Sequence, residues 1–372
     1  MKIALVHPKF GYTGGAERYV TGLARGLVER GHEIHLFGRR FAKDLRGSAI
    51  HRVPAIPFGR AVKTWSFWKI SERVLASRHF DVVHGFGKTT CQTVHRTGGG
   101  THASFLGRQG KKALSLYDRV VLRIEDRLFS SPRLRLVICP SQWVADEVKR
   151  HYPLMSARLE IVSNGVDTVT FHPEGRSLDR DALIKRLAVE RGAKVILLVA
   201  TNFHLKGLDV AIRVLPHVHG AVLAVVGGDD PAPYVSLARQ AGVSDRVFFL
   251  GPQTDMAPFY RAADVLIHPT RYDPFANVCL EACACGTPVV TTPFNGFSDL
   301  LQDHRAGWVM QLNDDPSGTA RLLTKTWQRG RTGRELARVV ALENDIRMHV
   351  ATMENLYREY AVPAGVARGI QP

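Results

Sequence analysis

The sequence predicts an α/β protein, two doubly wound Rossmann-like domains in tandem, facing each other across a cleft. Three observations predict it. Short apolar runs alternate with amphipathic stretches along the chain, the pattern of parallel strands joined by covering helices. The length, 372 residues, is that of two domains at roughly 100–200 residues each. The alternation breaks at Ser163-Asn164-Gly165-Val166-Asp167, and polar, proline-containing sequence follows to about Asp179, the composition of an inter-domain linker.

The elements follow in order. Ile3–Val6 reads as a first buried strand, because the N-terminal segment runs out of apolar residues too soon for a signal peptide. Glu33–Phe37, Val82–His84 and Leu136–Cys139 are further strands, with helices over Glu17–Arg30 and Ser141–His151. The second half repeats the theme with strands at Lys194–Val199, Ala221–Val226, Val247–Leu250, Asp264–His268 and Pro288–Thr292. Helices over Leu208–Pro216 and Tyr234–Gly242 lie between them, and the last amphipathic helix spans about Asp345–Tyr360. The expected division is 1–168 and 169–345. Residues 346–372 form a C-terminal helix and loose tail, the helix a candidate to cross back to the first domain. Ligands of such sheets sit at the carboxyl ends of the strands.

Composition removes several function classes. A chain 45% hydrophobic and 23% charged is globular, not disordered, and no apolar run reaches the roughly 18 residues of a membrane span. Cys279, Cys283 and Cys285 crowd one segment without a C-x-x-C pair. That speaks against a zinc site or disulfide scaffold and makes a reducing cytoplasm the expectation. The net charge of +16 is segregated: residues 1–170 hold 28 Lys+Arg against 13 Asp+Glu, and residues 171–372 hold 22 against 21. One half is therefore expected to meet an anionic surface. No RNA- or DNA-binding module is visible, so nucleic acid is not the expected partner.

Three segments carry chemistry. Gly14-Gly15 sits at a strand-to-helix turn, where backbone can approach a ligand and the helix start offers N–H groups to a phosphate. Lys206, before Gly207, lies in a loop after a buried strand and can reach an anion at the cleft. Asp273 precedes a helix start and Glu281 lies eight residues on, with Gly286-Thr287-Pro288 ending the helix. A carboxylate on that helix can accept from ribose hydroxyls. Asp179-Arg180-Asp181 is formally a D-x-D metal motif, but it precedes an expected helix at Ala182–Arg191 and reads as N-terminal capping and dipole complementation. No metal is expected.

Together these segments resemble the family 4 retaining glycosyltransferases of the GT-B fold. Asn164-Gly165-Val166-Asp167 with Phe171 and Pro173 matches that family's N-G-V-D-x-x-x-F-x-P signature. Within the family the chain is most similar to the lipopolysaccharide core glucosyltransferases that extend the first heptose, through Asp81–Lys88, Phe203–Asp209 and Leu266–Pro269. The resemblance implies a UDP-sugar donor held by the second domain, with no metal or other cofactor. It implies an anionic glycolipid acceptor held by the first, at the inner face of the cytoplasmic membrane, and transfer of a hexose, glucose, with retention. Carried over, Gly15 lies against the donor phosphate, Lys206 neutralises the diphosphate and Glu281 binds the ribose. Asp273 with the amides of Phe275, Ala276, Asn277 and Val278 holds the sugar hydroxyls. His95 matches the cleft histidine, with His102 as competitor; Lys206, Asp273 and His95 are then the catalytic set.

Two departures stand out. The first acid of the family's E-x7-E is Asp273, one methylene shorter. The arginine that usually stands five residues before the lysine is Thr201, with Asn202, His204 and Arg271 as candidates to compensate. Alternatives are a different cell-surface acceptor, or a non-catalytic polyanion binder on the same fold.

The first half also interleaves rings with cations in Lys63-Thr64-Trp65-Ser66-Phe67-Trp68-Lys69. Arg108, Lys111 and Lys112 precede a helical stretch whose Leu116, Val120, Ile124 and Leu128 alternate with Arg119, Arg123 and Arg127. The apolar stripe reads as a core face, and the cations suit a membrane-borne anionic acceptor.

Overall fold

The computed structural model describes residues 1–11, 14–109, 113–304, 306–311 and 316–361. Lys111, Lys112 and the tail from 362 onward lie outside the described residues. The chain forms two compact units, the first made of Met1–Gly165 with the chain from Ile346, the second of Val166–Asp345. The division falls three residues earlier than the sequence suggested. Val166 pairs with Asp345 and Thr168 donates to the Asp345 carboxylate, so 166–168 are already part of the second unit.

Each unit is built on a parallel sheet. In the first, β1 (Lys2–Val6), β2 (Glu33–Gly38), β3 (Ser48–Arg52), β4 (Val82–Gly85), β5 (Val94–Arg96), β6 (Leu136–Cys139) and β7 (Arg158–Ile161) lie in the order β3-β2-β1-β4-β5-β6-β7. In the second, β8 (Lys194–Val199), β9 (Ala221–Val226), β10 (Val247–Phe249), β11 (Val265–His268), β12 (Val289–Thr291) and β13 (Gly307–Val309) lie in the order β10-β9-β8-β11-β12-β13. The strand order therefore reverses between β1 and β4 in one unit and between β8 and β11 in the other. At such a reversal the connecting loops diverge to opposite faces and leave a crevice at the carboxyl ends.

The strands of the second unit are unbroken apolar runs because both sheet faces are covered. Val195, Leu197, Val222, Ala224 and Leu266 face one core, and Ile196, Leu198, Leu223, Val225 and Ile267 face the other. The first unit follows the same rule. Helix α1 (Gly15–Glu29) and the last helix cover Ile3, Leu5, Val82 and Val94, while α2 (Arg60–Ala76) covers Ala4, Val6 and Phe37 with Phe67 and Leu75.

Two helices differ from expectation. The helix over Arg176–Leu187 starts six residues before Ala182, behind Gly175 in the left-handed region at φ 87°. Asp179 and Asp181 are thus inside it and do not cap it; Asp179 stands in the first turn, where its charge complements the helix dipole, and the two hold Arg261 and Arg191. Helix α3 (Leu116–Phe129) buries Asp118, Val121, Ile124 and Leu128. Leu116 stands 66% exposed. The buried face is rotated from the predicted one because Asp118 is drawn inward by His102, at 2.9 Å, and closes a capping box with Ser115.

Helix α4 (Asn277–Ala284) follows β11 in the second unit. Helix α5 (Ile346–Tyr360) closes the first unit, with Val350, Met353 and Tyr357 in the core beside Leu23 and Leu27. Gly26 permits this contact, since a Cβ there would stand 2.7 Å from Val350. Polar bonds fix the helix as well: Tyr19 to His349 at 2.8 Å, His84 to Tyr357 at 2.5 Å, and Arg30 to Glu354.

Candidate active site

The two loops flanking the switch point of the second unit carry the sequence-predicted lysine and acid. The loop after β8 ends at Lys206-Gly207, and the loop after β11 holds Asp273. Gly207 has φ +75°, and a Cβ there would lie 2.0 Å from the Pro269 carbonyl oxygen, so no other residue fits between the loops. Further bonds stitch them. Arg271 N–H and the Thr270 hydroxyl both donate to Leu205 O, at 2.9 and 3.1 Å. The Arg271 guanidinium reaches His204 O at 2.5 Å and the Asp209 carboxylate at 2.7 and 3.0 Å. Of the three candidates for the missing arginine charge, Arg271 packs against the lysine loop, with its guanidinium paired to Asp209. Asn202 is engaged with the Leu205 amide at 2.8 Å.

Lys206 Nζ lies 2.5 Å from Asp273 Oδ2, and both side chains are mostly buried. His268, the last residue of β11, places Nε2 3.1 Å from the same oxygen. Burial alone raises the pKa of Asp273, but Lys206 and His268 outweigh it and hold the carboxyl well below its ordinary range. Burial pushes His268 down, so its imidazole is neutral at pH 7 despite the carboxylate beside it. Asp273 is fixed through its backbone too, donating to Phe294 O and accepting from Gly296 N–H, both at 2.9 Å.

The following residues correct one expectation. The Ala276 amide does not point at a ligand. It donates to Asn295 Oδ1 at 3.1 Å, and the same oxygen accepts from Phe297 N–H at 3.1 Å. Ala276 ends the loop in extended backbone, so the helix opens at Asn277 and Val278. Those two stand at the positive end of α4, while Phe275 is buried against Phe297. Glu281 is also buried, and Tyr260 donates to its Oε2 at 2.7 Å. Burial first, and then the Glu281 charge, raises the Tyr260 pKa well above its ordinary value, so the phenol remains a donor.

In the first unit, Gly15 opens α1 directly after the Gly14 cap, and His95 lies on β5 next to the strand at the switch point. His95 is 7% exposed, and burial pushes it down to about 4 against an opposing bond to the Gly85 carbonyl. It is a neutral imidazole, with Nδ1 3.2 Å from Gln92 Nε2. His102 differs: its ring is spent on Asp118 and its amide donates to Glu125 at 2.6 Å, holding the start of one helix against another.

Comparison with known proteins decides the family. Residues 13–170 match the profile described as Glycosyltransferase Family 4, and residues 179–336 that described as Glycosyl transferases group 1. A Nocardiopsis dassonvillei protein named D-inositol 3-phosphate glycosyltransferase is 30% identical over 361 residues, covering 86% of this chain and 82% of the relative. The chain is a family 4, group 1 glycosyltransferase. The crystal structure of WaaG, a glycosyltransferase involved in lipopolysaccharide biosynthesis, superposes with a TM-score of 0.82 at 22% identity, over 95% of this chain and 99% of that one. Anabaena HepE, in complex with UDP and glucose, gives 0.73 at 18% identity, over 96% and 99%. The fold is GT-B.

Three residues that hold this glycosyltransferase's candidate site together were not assigned a role from sequence: His268, Asn295 and Tyr260. Phe294-Asn295-Gly296 reads as a turn signal, but nothing in it says that the amide side chain faces inward. Among the described residues, no group of three or more His, Cys, Asp or Glu side chains is placed to hold a metal ion. No described helix is long and apolar enough to cross a membrane.

Proposed function

We propose that this glycosyltransferase moves a hexose, glucose, from a UDP-sugar to an anionic glycolipid of the lipopolysaccharide-core kind, with retention at the anomeric carbon. The observation that carries the reading is the Lys206–Asp273 pair at 2.5 Å on the two loops of the switch point. It sets a cation for a diphosphate beside a carboxylate for sugar hydroxyls. The bond from C1 to the diphosphate oxygen breaks, the bond from C1 to the acceptor oxygen forms on the same face, and the departing diphosphate takes the acceptor's proton. Lys206 stabilises the charge that develops on the diphosphate, and preorganised electrostatics of this kind is commonly the largest catalytic contribution. Gly15 approaches the donor phosphate, Asn277 and Val278 offer the helix start, Glu281 takes the ribose, and His95 serves as a neutral donor or acceptor beside the sugar.

The UDP, glucose and UDP-glucose in the HepE structures support the donor. The phosphorylated acceptor in the relative's name supports an anionic one. Exposed apolar and basic side chains of the first unit support a membrane-borne one. Ile56, Phe58, Trp65, Leu114 and Leu116 are exposed, and Arg60 and Lys88 lie 4.3 and 5.6 Å from the Tyr117 ring. Each basic group near anionic lipid contributes about 1 kcal/mol, which suits a peripheral position on the inner membrane face.

The test is a screen of UDP-, GDP- and ADP-sugars against an anionic glycolipid and against D-inositol 3-phosphate, with anomeric analysis of the product. Retained configuration and preference for UDP-glucose with the glycolipid are expected. Inversion, or transfer to the polyol phosphate alone, overturns the reading.

A further inference from the structure

Taking Asp273 as the group that holds the donor sugar, we propose that His268 is the positioning residue for it: its Nε2–H pins Oδ2 and leaves Oδ1 to accept from a sugar hydroxyl. His268 closes β11 and its side chain is 1% exposed. Its carbonyl accepts from the Thr291 hydroxyl and from Thr270 N–H, both at 2.8 Å, so the backbone beneath the ring is anchored on two sides.

The hydrogen-bond inventory fixes the tautomer. An ionised carboxylate can only accept, so the proton in the 3.1 Å contact sits on Nε2. Nδ1 is buried and meets no partner. A second proton there would be a buried donor without an acceptor, a state that proteins avoid. The site therefore holds a neutral imidazole with its hydrogen on Nε2.

That hydrogen has a task Lys206 cannot perform alone. The ammonium is a point charge on a flexible stem, and a diphosphate at the crevice draws it away from Asp273. The imidazole is rigid and buried, so it keeps Oδ2 in place while the lysine turns to the phosphates. Both contacts fall on one oxygen, at 2.5 and 3.1 Å, which sets the carboxylate plane. Asp273 is also one methylene shorter than the family's glutamate and swings through a smaller arc, so a single fixed donor suffices to hold it.

The test compares His268→Leu with His268→Gln, whose amide nitrogen donates from nearly the same reach. His268→Leu is expected to lower donor kcat/KM by about 10²-fold, the cost of misplacing a reacting partner by about 1 Å. UDP, which has no sugar, should bind unchanged, and His268→Gln should recover most of the loss. Equal loss in both variants, no loss in His268→Leu, or a parallel fall in UDP affinity overturns the proposal. Nitrogen-15 spectra of the wild-type ring test it without any donor. The Nε2–H tautomer is expected, with its resonance moving in Asp273→Asn, and an Nδ1–H tautomer or an unmoved resonance refutes it. If no nucleotide sugar is turned over by the wild-type protein, the activity reading fails, while the spectra still decide the His268–Asp273 contact.

Discussion

Asn295→Ala removes a side chain that is fully buried and makes four bonds. Oδ1 accepts from Ala276 and Phe297 N–H, and Nδ2 donates to Thr291 Oγ1 at 3.0 Å and Cys279 Sγ at 3.4 Å. Alanine leaves two backbone donors with no acceptor, at residues 3% and 0% exposed, where water cannot replace the lost oxygen. Each such orphan costs about 1–3 kcal/mol. The Thr291 hydroxyl keeps its bond to His268 O, so that side loses little, and the total is about 4 kcal/mol. The second unit has about 180 residues. At roughly 2.1 cal/mol/K of unfolding entropy per residue, its melting transition should fall by about 10 °C. Scanning calorimetry of the full chain measures the shift, and amide exchange at Ala276 and Phe297 reports whether these two donors have been released. A shift under about 2 °C with both amides still protected would refute the reasoning, because it would mean that the loop before α4 is held by something other than Asn295.

Other consequences can be measured in parallel. Lys206→Met should reduce turnover by about 10²–10³-fold, the scale for losing one preorganised charge-stabilising group. Since the folded pKa of Asp273 is depressed, its pairing stabilises the protein above the ordinary carboxylate range and is lost as pH falls through the depressed value. The stability deficit of Lys206→Met should therefore narrow below about pH 4, and a deficit constant with pH would count against the pair. Tyr260→Phe and Glu281→Ala should both weaken UDP binding by calorimetry, Tyr260→Phe by about 10-fold as a hydrogen bond to a charged group is lost; unchanged affinity in Glu281→Ala removes the ribose assignment. Burial lowers His84, His95 (to about 4) and His349 (to about 3). The unfolded chain therefore binds the extra protons, and the first unit should lose up to about 4 kcal/mol per pH unit below pH 6.5 from these three rings; an unfolding midpoint that does not move between pH 7 and 5 would show that they are not neutral. Trp65→Ser with Leu116→Ser should release the protein from anionic vesicles, and added salt should do the same to the wild type.

Strands such as Lys194–Val199 and Ala221–Val226 were legible because burial on both faces writes an unbroken apolar run. Val94–Arg96 was not, since two of its three residues are polar, and its burial depends on Gln92, Asn164 and Tyr19 far from any strand signal. The phase of α3 is hidden in the sequence for a related reason. Positions four apart drift around a helix, and the true inward face includes Asp118, whose charge is met by a histidine 16 residues earlier. At the site, Asp273 and Glu281 could be picked out because their spacing is local, and Lys206 because it stands before a glycine in a loop after a buried strand. The engagement of the Ala276 amide could not, because the oxygen that takes it belongs to a residue 19 positions on. Periodicity speaks about faces of elements, and these contacts are made between loops.

The pairing of Val166 with Asp345 bears on how the protein is made. The second unit begins and ends at neighbouring backbone positions, as a segment inserted into the first, and domains with adjacent ends commonly fold as units. By the time Asp345 leaves the ribosome every strand of that unit has been synthesised. The first unit, begun 165 residues earlier, still lacks Val350, Met353 and Tyr357 for its core. This connectivity lets the inner domain be complete before the outer one can close. A chain stopped at residue 345 should give a folded second unit on an unfinished first.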